Sequence, residues 1–212
     1  MTRQSKIRKL EDSFQFLIGD SADVYILFAD LCGSTAYKEK CVEQKQPEIY
    51  WIIRQIFFLS RVADGVKRNG GTVVKTVGDG LIATFPSTIL PEDILRCGID
   101  VLQSFGNLDA FHGDAKIEGR VSVDIGHTYN GSLTDTGPFD PVGTAVDRCA
   151  RLNSIAKKNE IVFSQNFLAV LVTHSSKRKL RARYGYITRE EELKGLKRTV
   201  VHCIDTSIGK LK

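Results

Sequence analysis

The segment VYILFADLCGST, residues 24–35, runs six apolar residues into an aspartate and then opens into a glycine turn. Residues 24–29 read as a buried strand that delivers Asp30 to its end. A second segment, GTVVKTVGDGLIATF at 71–85, repeats the device: runs at 72–77 and 81–85 pair as a hairpin about Gly78-Asp79-Gly80. A carboxylate at the end of a buried strand is costly unless something positive faces it. Glycines beside it let a ligand come close to the backbone. Two such aspartates predict a paired divalent-metal site serving phosphate chemistry.

Working outward, apolar residues Ile7, Leu10, Phe14, Leu17 and Ile18 recur at helical spacing and predict an amphipathic helix over 4–18. A long helix starts near Pro47 and stops at Asn69-Gly70-Gly71. Another begins after Pro91, with Glu92 and Asp93 in its first turn, and runs to about Phe105. Ile117, Gly119, Val121, Val123 and Ile125 alternate with polar residues, the pattern of a half-buried strand, which turns near Asn130-Gly131. A helix over 143–157, strand IVFS, helix QNFLAVLV and a closing hairpin over 187–205 complete the chain. The order lacks regular βαβ alternation, so the expected class is α+β, a mixed sheet sandwiched with helices.

At 212 residues, 42% of them hydrophobic, the chain suits one domain. Its five scattered cysteines include no CxxC pair, which reads as reduced thiols, and neither disulfide framework nor zinc site is predicted. No apolar run is long enough to cross a bilayer, and the polar start has no signal-peptide core, so a soluble, cytoplasmic protein without a membrane partner is expected. The net charge of +5 suits an anionic small ligand. The densest basic run, SSKRKLRAR at 175–183, has no stacking aromatics; a solvated loop is expected there and no nucleic acid partner.

Gly33, Ser34 and Thr35 follow Asp30 and offer backbone amides beside its carboxylate, and amides for phosphate oxygens with carboxylates for Mg²⁺ are the usual division in triphosphate sites. Asp79 alone also suits an ordinary Asp-Gly turn. Lys75 lies among Val73, Val74 and Val77, where it meets either a ligand or solvent by snorkelling. Asp147 and Arg151 stand four apart on one helix, as a surface ion pair or as groups serving a transferring phosphoryl. Asp140 is otherwise a loop aspartate before proline.

With these pieces in this order, the chain resembles the class III nucleotidyl cyclases, the adenylate and guanylate cyclase catalytic family, from about Val24 to Asp205. The resemblance implies their ferredoxin-like palm fold, with a helical extension at 1–20 and the catalytic domain at 21–212. Asp30 and Asp79 would hold two Mg²⁺ or Mn²⁺ ions, with the Leu31 carbonyl as a further ligand. Lys75 and Asp140 match the base-selecting pair, Arg151 the arginine of the transition state, and Lys194 in ELKGLKRTVV the triphosphate lysine. The implied reaction is attack of the ribose 3′-hydroxyl on the α-phosphorus of a nucleoside triphosphate, with pyrophosphate leaving. The family builds its sites between two subunits, metal aspartates from one and base, ribose and phosphate contacts from the other, which implies a head-to-tail homodimer.

Asp147 stands where the family usually has a ribose-orienting asparagine; it keeps the acceptors, loses the amide donors and adds charge beside Arg151. The short N-terminus leading into ILFADLCGSTAYKEK resembles the stand-alone bacterial pyrimidine cyclases of anti-phage (Pycsar) defence, which make cyclic CMP or cyclic UMP. Tyr50, on the edge of the long helix, is the bulky residue expected to tighten the base pocket, or else a half-buried core tyrosine. Against that, Lys75 and Asp140 match the pair read as adenine-specific in the family, which favours ATP and an adenylate cyclase. A diguanylate cyclase is disfavoured because GDGLIATF stands in place of GG(D/E)EF, and the intact set of Asp30, Asp79, Arg151 and Lys194 argues against a non-catalytic dimerisation or sensing domain.

Overall fold

The computed structural model describes residue 5 and residues 18–106, 116–134, 137–195 and 198–207, so the helix expected over 4–18 lies almost wholly outside it. The chain forms one eight-stranded sheet covered by helices on both faces. In chain order these are β1 (Ile18–Leu31), α1 (Ser34–Glu43), α2 (Ile49–Arg68), β2 (Thr72–Val77), β3 (Gly80–Pro86) and α3 (Pro91–Gly106). There follow β4 (Gly119–Thr134), β5 (Gly137–Val142), α4 (Thr144–Ile155), β6 (Glu160–Ser164), α5 (Gln165–His174), α6 (Lys177–Tyr184), β7 (Ile187–Glu191) and β8 (Thr199–Asp205). The strand order is β2-β3-β1-β4-β6-β8-β7, with β5 on β4, and only β4 and β6 run parallel.

Side chains alternate along β1, and that alternation divides the core. Tyr25, Leu27, Ala29 and Leu31 join Phe58 and Val62 of α2, Leu95 and Leu102 of α3, and Phe167 and Leu171 of α5 in the main core. Ile26 faces the other way, with Ala145 and Cys149 of α4. Asp30 therefore lies on the α4 side, beyond the last apolar layer. Gly65 and Val101 let α2 and α3 pack closely: a Cβ on Gly65 would fall 2.5 Å from Val101 Cγ2.

Four expectations are corrected. β1 is longer than 24–29 at both ends, because its N-terminal half pairs with β4 from Ile18 onward. β4 does not turn at Asn130-Gly131 but runs to Thr134 through irregular pairing with β5. The basic run is a helix, α6, seated by Leu180 and Tyr184 at i and i+4 while its cations face water.

The last correction concerns the polar face of β4, expected in solvent. It is covered by α4, and Ser122 and Asp124 are both 0% exposed. Each polar residue there is answered by α4 or a neighbouring strand. Ser122 Oγ donates to the Cys149 carbonyl at 2.8 Å, and Asp124 accepts from Arg148 Nε at 2.5 Å and from the Ser164 hydroxyl. Asn153 Nδ2 donates to the Phe28 carbonyl of β1 at 3.2 Å. Polar groups buried in this way are tolerated because they are paired. They also fix the rotation of α4 on the sheet.

Candidate active site

Asp30, next to last in β1, stands opposite Gly80, the first residue of β3, and that register brings the two aspartates together. A Cβ at Gly80 would fall 2.9 Å from the Ala29 carbonyl oxygen and 3.3 Å from Asp30 Oδ1, so only glycine lets the Asp79 turn close on Asp30. Gly78 has φ 60°, the left-handed conformation that the tight turn demands. The turn is held from α2, where Gln55 Nε2 donates to the Gly78 carbonyl at 2.8 Å.

Gly33 precedes α1, and Ser34 and Thr35 open it, so their amides lie in a first turn that has no intrahelical acceptors. The Ser34 hydroxyl donates to Asp79 Oδ2, tying that helix start to the second aspartate. Leu31 is buried as the last residue of β1. Behind the turn, Arg54 of α2 is 4% exposed. Its Nη2 donates to the carbonyls of Lys116 at 3.0 Å and Cys32 at 3.4 Å, and its guanidinium lies 5.0 Å from the Tyr37 ring. Burial pushes the Arg54 pKa down from the ordinary arginine value.

Among the described residues no group of three or more His, Cys, Asp or Glu is placed to hold a metal. Asp30 and Asp79 supply two carboxylates, and burial pushes the adjacent Cys32 thiol up from its ordinary pKa. An all-oxygen pair with a glycine cradle between its members fits a hard divalent cation whose remaining ligands come from backbone, water or a phosphate.

The second group of residues lines the other part of the α4 face. Lys75 on β2 donates to the Asp140 carboxylate, and both side chains are 46% exposed. Beside them a cavity of about 220 Å³ is walled by Val74, Ile82, Val146, Asp140 and Asp147. The ion pair between Asp147 and Arg151 is not formed; neither side chain makes one among the described residues. Arg151 instead lies against the β7–β8 turn, where a Cβ on Gly195 would fall 3.4 Å from its Nη1. Lys194, exposed, directly precedes that glycine. Tyr50 is half-buried near the start of α2 and is not among the residues walling the cavity. It neighbours Tyr37.

Sequence reading missed Arg120, Arg54 and the Asp124–Arg148 pair. Arg120 Nε and Nη2 donate to Asp30 Oδ2 at 2.8 and 2.5 Å. Its one signal was the two-residue period shared with Ser122 and Asp124, which becomes informative only once α4 is known to cover that face.

Fold and site together define a nucleotide-cyclase type of catalytic domain, with paired carboxylates at a hairpin turn and, on the helix and loop beyond, cations that form no ion pair among the described residues. The chain belongs to the adenylate and guanylate cyclase catalytic domain family, whose model matches residues 18–205. It is 23% identical over 160 residues to adenylate cyclase type 10 of Oryctolagus cuniculus, a match covering 69% of this chain and 10% of that protein's length. In structure it is similar to the guanylyl cyclase Cya2, with TM-score 0.73, 20% identity, and 89% of this chain and 94% of that one covered. It is similar too to the GTP complex of the guanylate cyclase domain of RhGC from Catenaria anguillulae, at TM-score 0.69 and 17% identity, covering 87% and 97%. The adenylyl cyclase CyaB from P. aeruginosa gives 0.67 and 19%, covering 87% and 94%. No described helix is long and apolar enough to cross a membrane.

Proposed function

We propose that this chain converts a nucleoside triphosphate into its 3′,5′-cyclic nucleotide and pyrophosphate, in sites shared between two head-to-tail copies. The observation that carries the reading is the meeting of Asp30 and Asp79 across Gly80, on a fold of this family. Asp30, Asp79 and the Leu31 carbonyl would hold two divalent ions, Mg²⁺ or Mn²⁺. When bound, such ions supply Lewis acidity to the triphosphate and favour ionisation of the ribose hydroxyl. The bond formed joins the 3′-oxygen to the α-phosphorus, the bond broken joins that phosphorus to the β-phosphate oxygen, and the hydroxyl proton passes to solvent.

The remaining roles fall to this chain's own groups. The amides of Gly33, Ser34 and Thr35 meet phosphate oxygens. Arg151 and Lys194, having no ion pair among the described residues, present positive charge to the triphosphate as charge moves onto the leaving pyrophosphate. Asp147 accepts from the ribose. Lys75 and Asp140 present one donor and one acceptor to the base edge.

The substrate proposed is CTP or UTP, giving cyclic CMP or cyclic UMP as a signal in anti-phage defence. The likeness of the segment leading into ILFADLCGSTAYKEK to the stand-alone pyrimidine cyclases supports this substrate class. Adenylate cyclase is the second reading, favoured by the Lys75–Asp140 ion pair itself. Incubating the purified protein with Mn²⁺ or Mg²⁺ and each of ATP, GTP, CTP and UTP, with products identified by mass spectrometry, separates the readings. Cyclic CMP or cyclic UMP is expected. Cyclic AMP alone would remove the pyrimidine reading, and no cyclic product from any of the four would remove the enzyme.

A further inference from the structure

Asp30 is already engaged in the resting site. The β1–β4 register sets it directly opposite Arg120, so the contact is built into the sheet and is no chance meeting of long surface side chains. Two arms of the Arg120 guanidinium converge on one oxygen, Oδ2, at 2.8 and 2.5 Å. Its third nitrogen, Nη1, reaches the Ser154 carbonyl in the last turn of α4 at 3.5 Å. The two side chains are only 30% and 23% exposed, so the pair is partly withdrawn from screening solvent. The other oxygen, Oδ1, is the one beside Gly80.

We infer that Arg120 competes with the divalent cation for Asp30 and thereby holds down the metal affinity of the nucleotide-free protein. This rests on reading Asp30 as a metal ligand. A cation approaching Oδ2 must displace a guanidinium that makes charge-assisted hydrogen bonds there. A cation approaching Oδ1 meets a carboxylate whose charge is already largely answered at contact distance. Either route costs binding energy that a free carboxylate would not exact. The fork geometry is specific to arginine: a lysine keeps the charge but has a single ammonium and cannot span Asp30 and Ser154 together.

The experiment is titration of Mn²⁺ into the whole chain without nucleotide, with free Mn²⁺ read by electron paramagnetic resonance. Arg120→Met is expected to bind Mn²⁺ roughly fivefold more tightly than the parent, the upper end for a partly exposed ion pair. Arg120→Lys should fall between the two. Lys158→Met, which removes a nearby surface cation paired with Glu118, should leave the affinity unchanged. Asp30→Asn should weaken binding in the parent and in Arg120→Met alike. Arg120→Met no tighter than the parent overturns the inference, as does an equal gain from Lys158→Met, which would make the effect a general field. If Asp30→Asn abolishes binding while Arg120→Met changes nothing, Asp30 stays a metal ligand and Arg120 alone loses its role. If Asp30→Asn changes nothing, or neither parent nor Arg120→Met binds Mn²⁺, the metal reading falls and takes this inference with it.

Discussion

The two halves of the site differ in how their charges are answered. In the carboxylate half, Asp30 is met by Arg120 and Asp79 by the Ser34 hydroxyl, so each acid already has a partner within the chain. In the other half Arg151 and Lys194 make no ion pair among the described residues and lie together at the Gly195 turn. The first half must give something up to take a ligand; the second waits for one. On the proposed reading, that uncompensated positive charge serves the triphosphate. Anchoring differs as well. The acids sit on β1 and on the β2–β3 turn of the sheet, whereas Arg151 rides on α4, fixed from below by Ser122, Asp124 and the Phe28 carbonyl.

The largest expected effect breaks the carboxylate half. Asp79→Ala should lower kcat/KM by about a thousandfold, several kcal/mol of lost charge stabilisation, with the circular dichroism spectrum unchanged. Retained activity would take Asp79 out of the site. Next, Asp124→Ala attacks the seat of α4. It leaves Arg148 and Ser164 without their buried partner and should cost about 3 kcal/mol in denaturant unfolding. A loss below about 0.5 kcal/mol would show that α4 is held by apolar packing alone.

A third prediction uses a group outside both halves. His202, 3% exposed, is held well below its ordinary pKa, to about 4, by burial and then by Lys177 and Arg181. Its neutral ring donates from Nε2 to Gln165 at 2.9 Å and accepts from the Thr188 hydroxyl at 3.0 Å. The unfolded chain takes up this proton near pH 6.5 and the fold refuses it until about 4. Stability from this group is therefore complete above pH 6.5 and falls as pH drops toward 4, by about 3 kcal/mol. His202→Gln should remove that slope, measured as the difference between the two stability–pH curves; parallel curves would refute the assignment. The smallest effect is at Tyr50. If the halves meet across two copies, Tyr50→Ala should shift the preference among nucleotides by up to about tenfold while turnover persists. Unchanged preference would return Tyr50 to a packing role.

Much of this was legible in the sequence because hydrophobic periodicity and turn glycines carried it. β1, the β2–β3 hairpin, α2, α3, α4, α5 and the closing hairpin all declared themselves that way. α1 did not, because STAYKEKCVE buries only Cys41 and presents no apolar stripe. α6 did not, because five cations in eight residues masked the Leu180–Tyr184 spacing. The polar face of β4 was read as solvated because a single sequence shows the alternation but not what covers it. Arg120 became visible only through strand register, which pairs residues 90 apart in the chain.

If each site is assembled from unlike halves of two copies, two differently damaged chains should complement one another. Asp30→Ala and Arg151→Ala, each inactive alone, should yield cyclic nucleotide when co-expressed and purified together. The mixed dimer carries one intact site, so an equal mixture should recover about a quarter of the parent activity. Activity no higher than that of either variant alone, in a preparation shown to contain the mixed dimer, would contradict it.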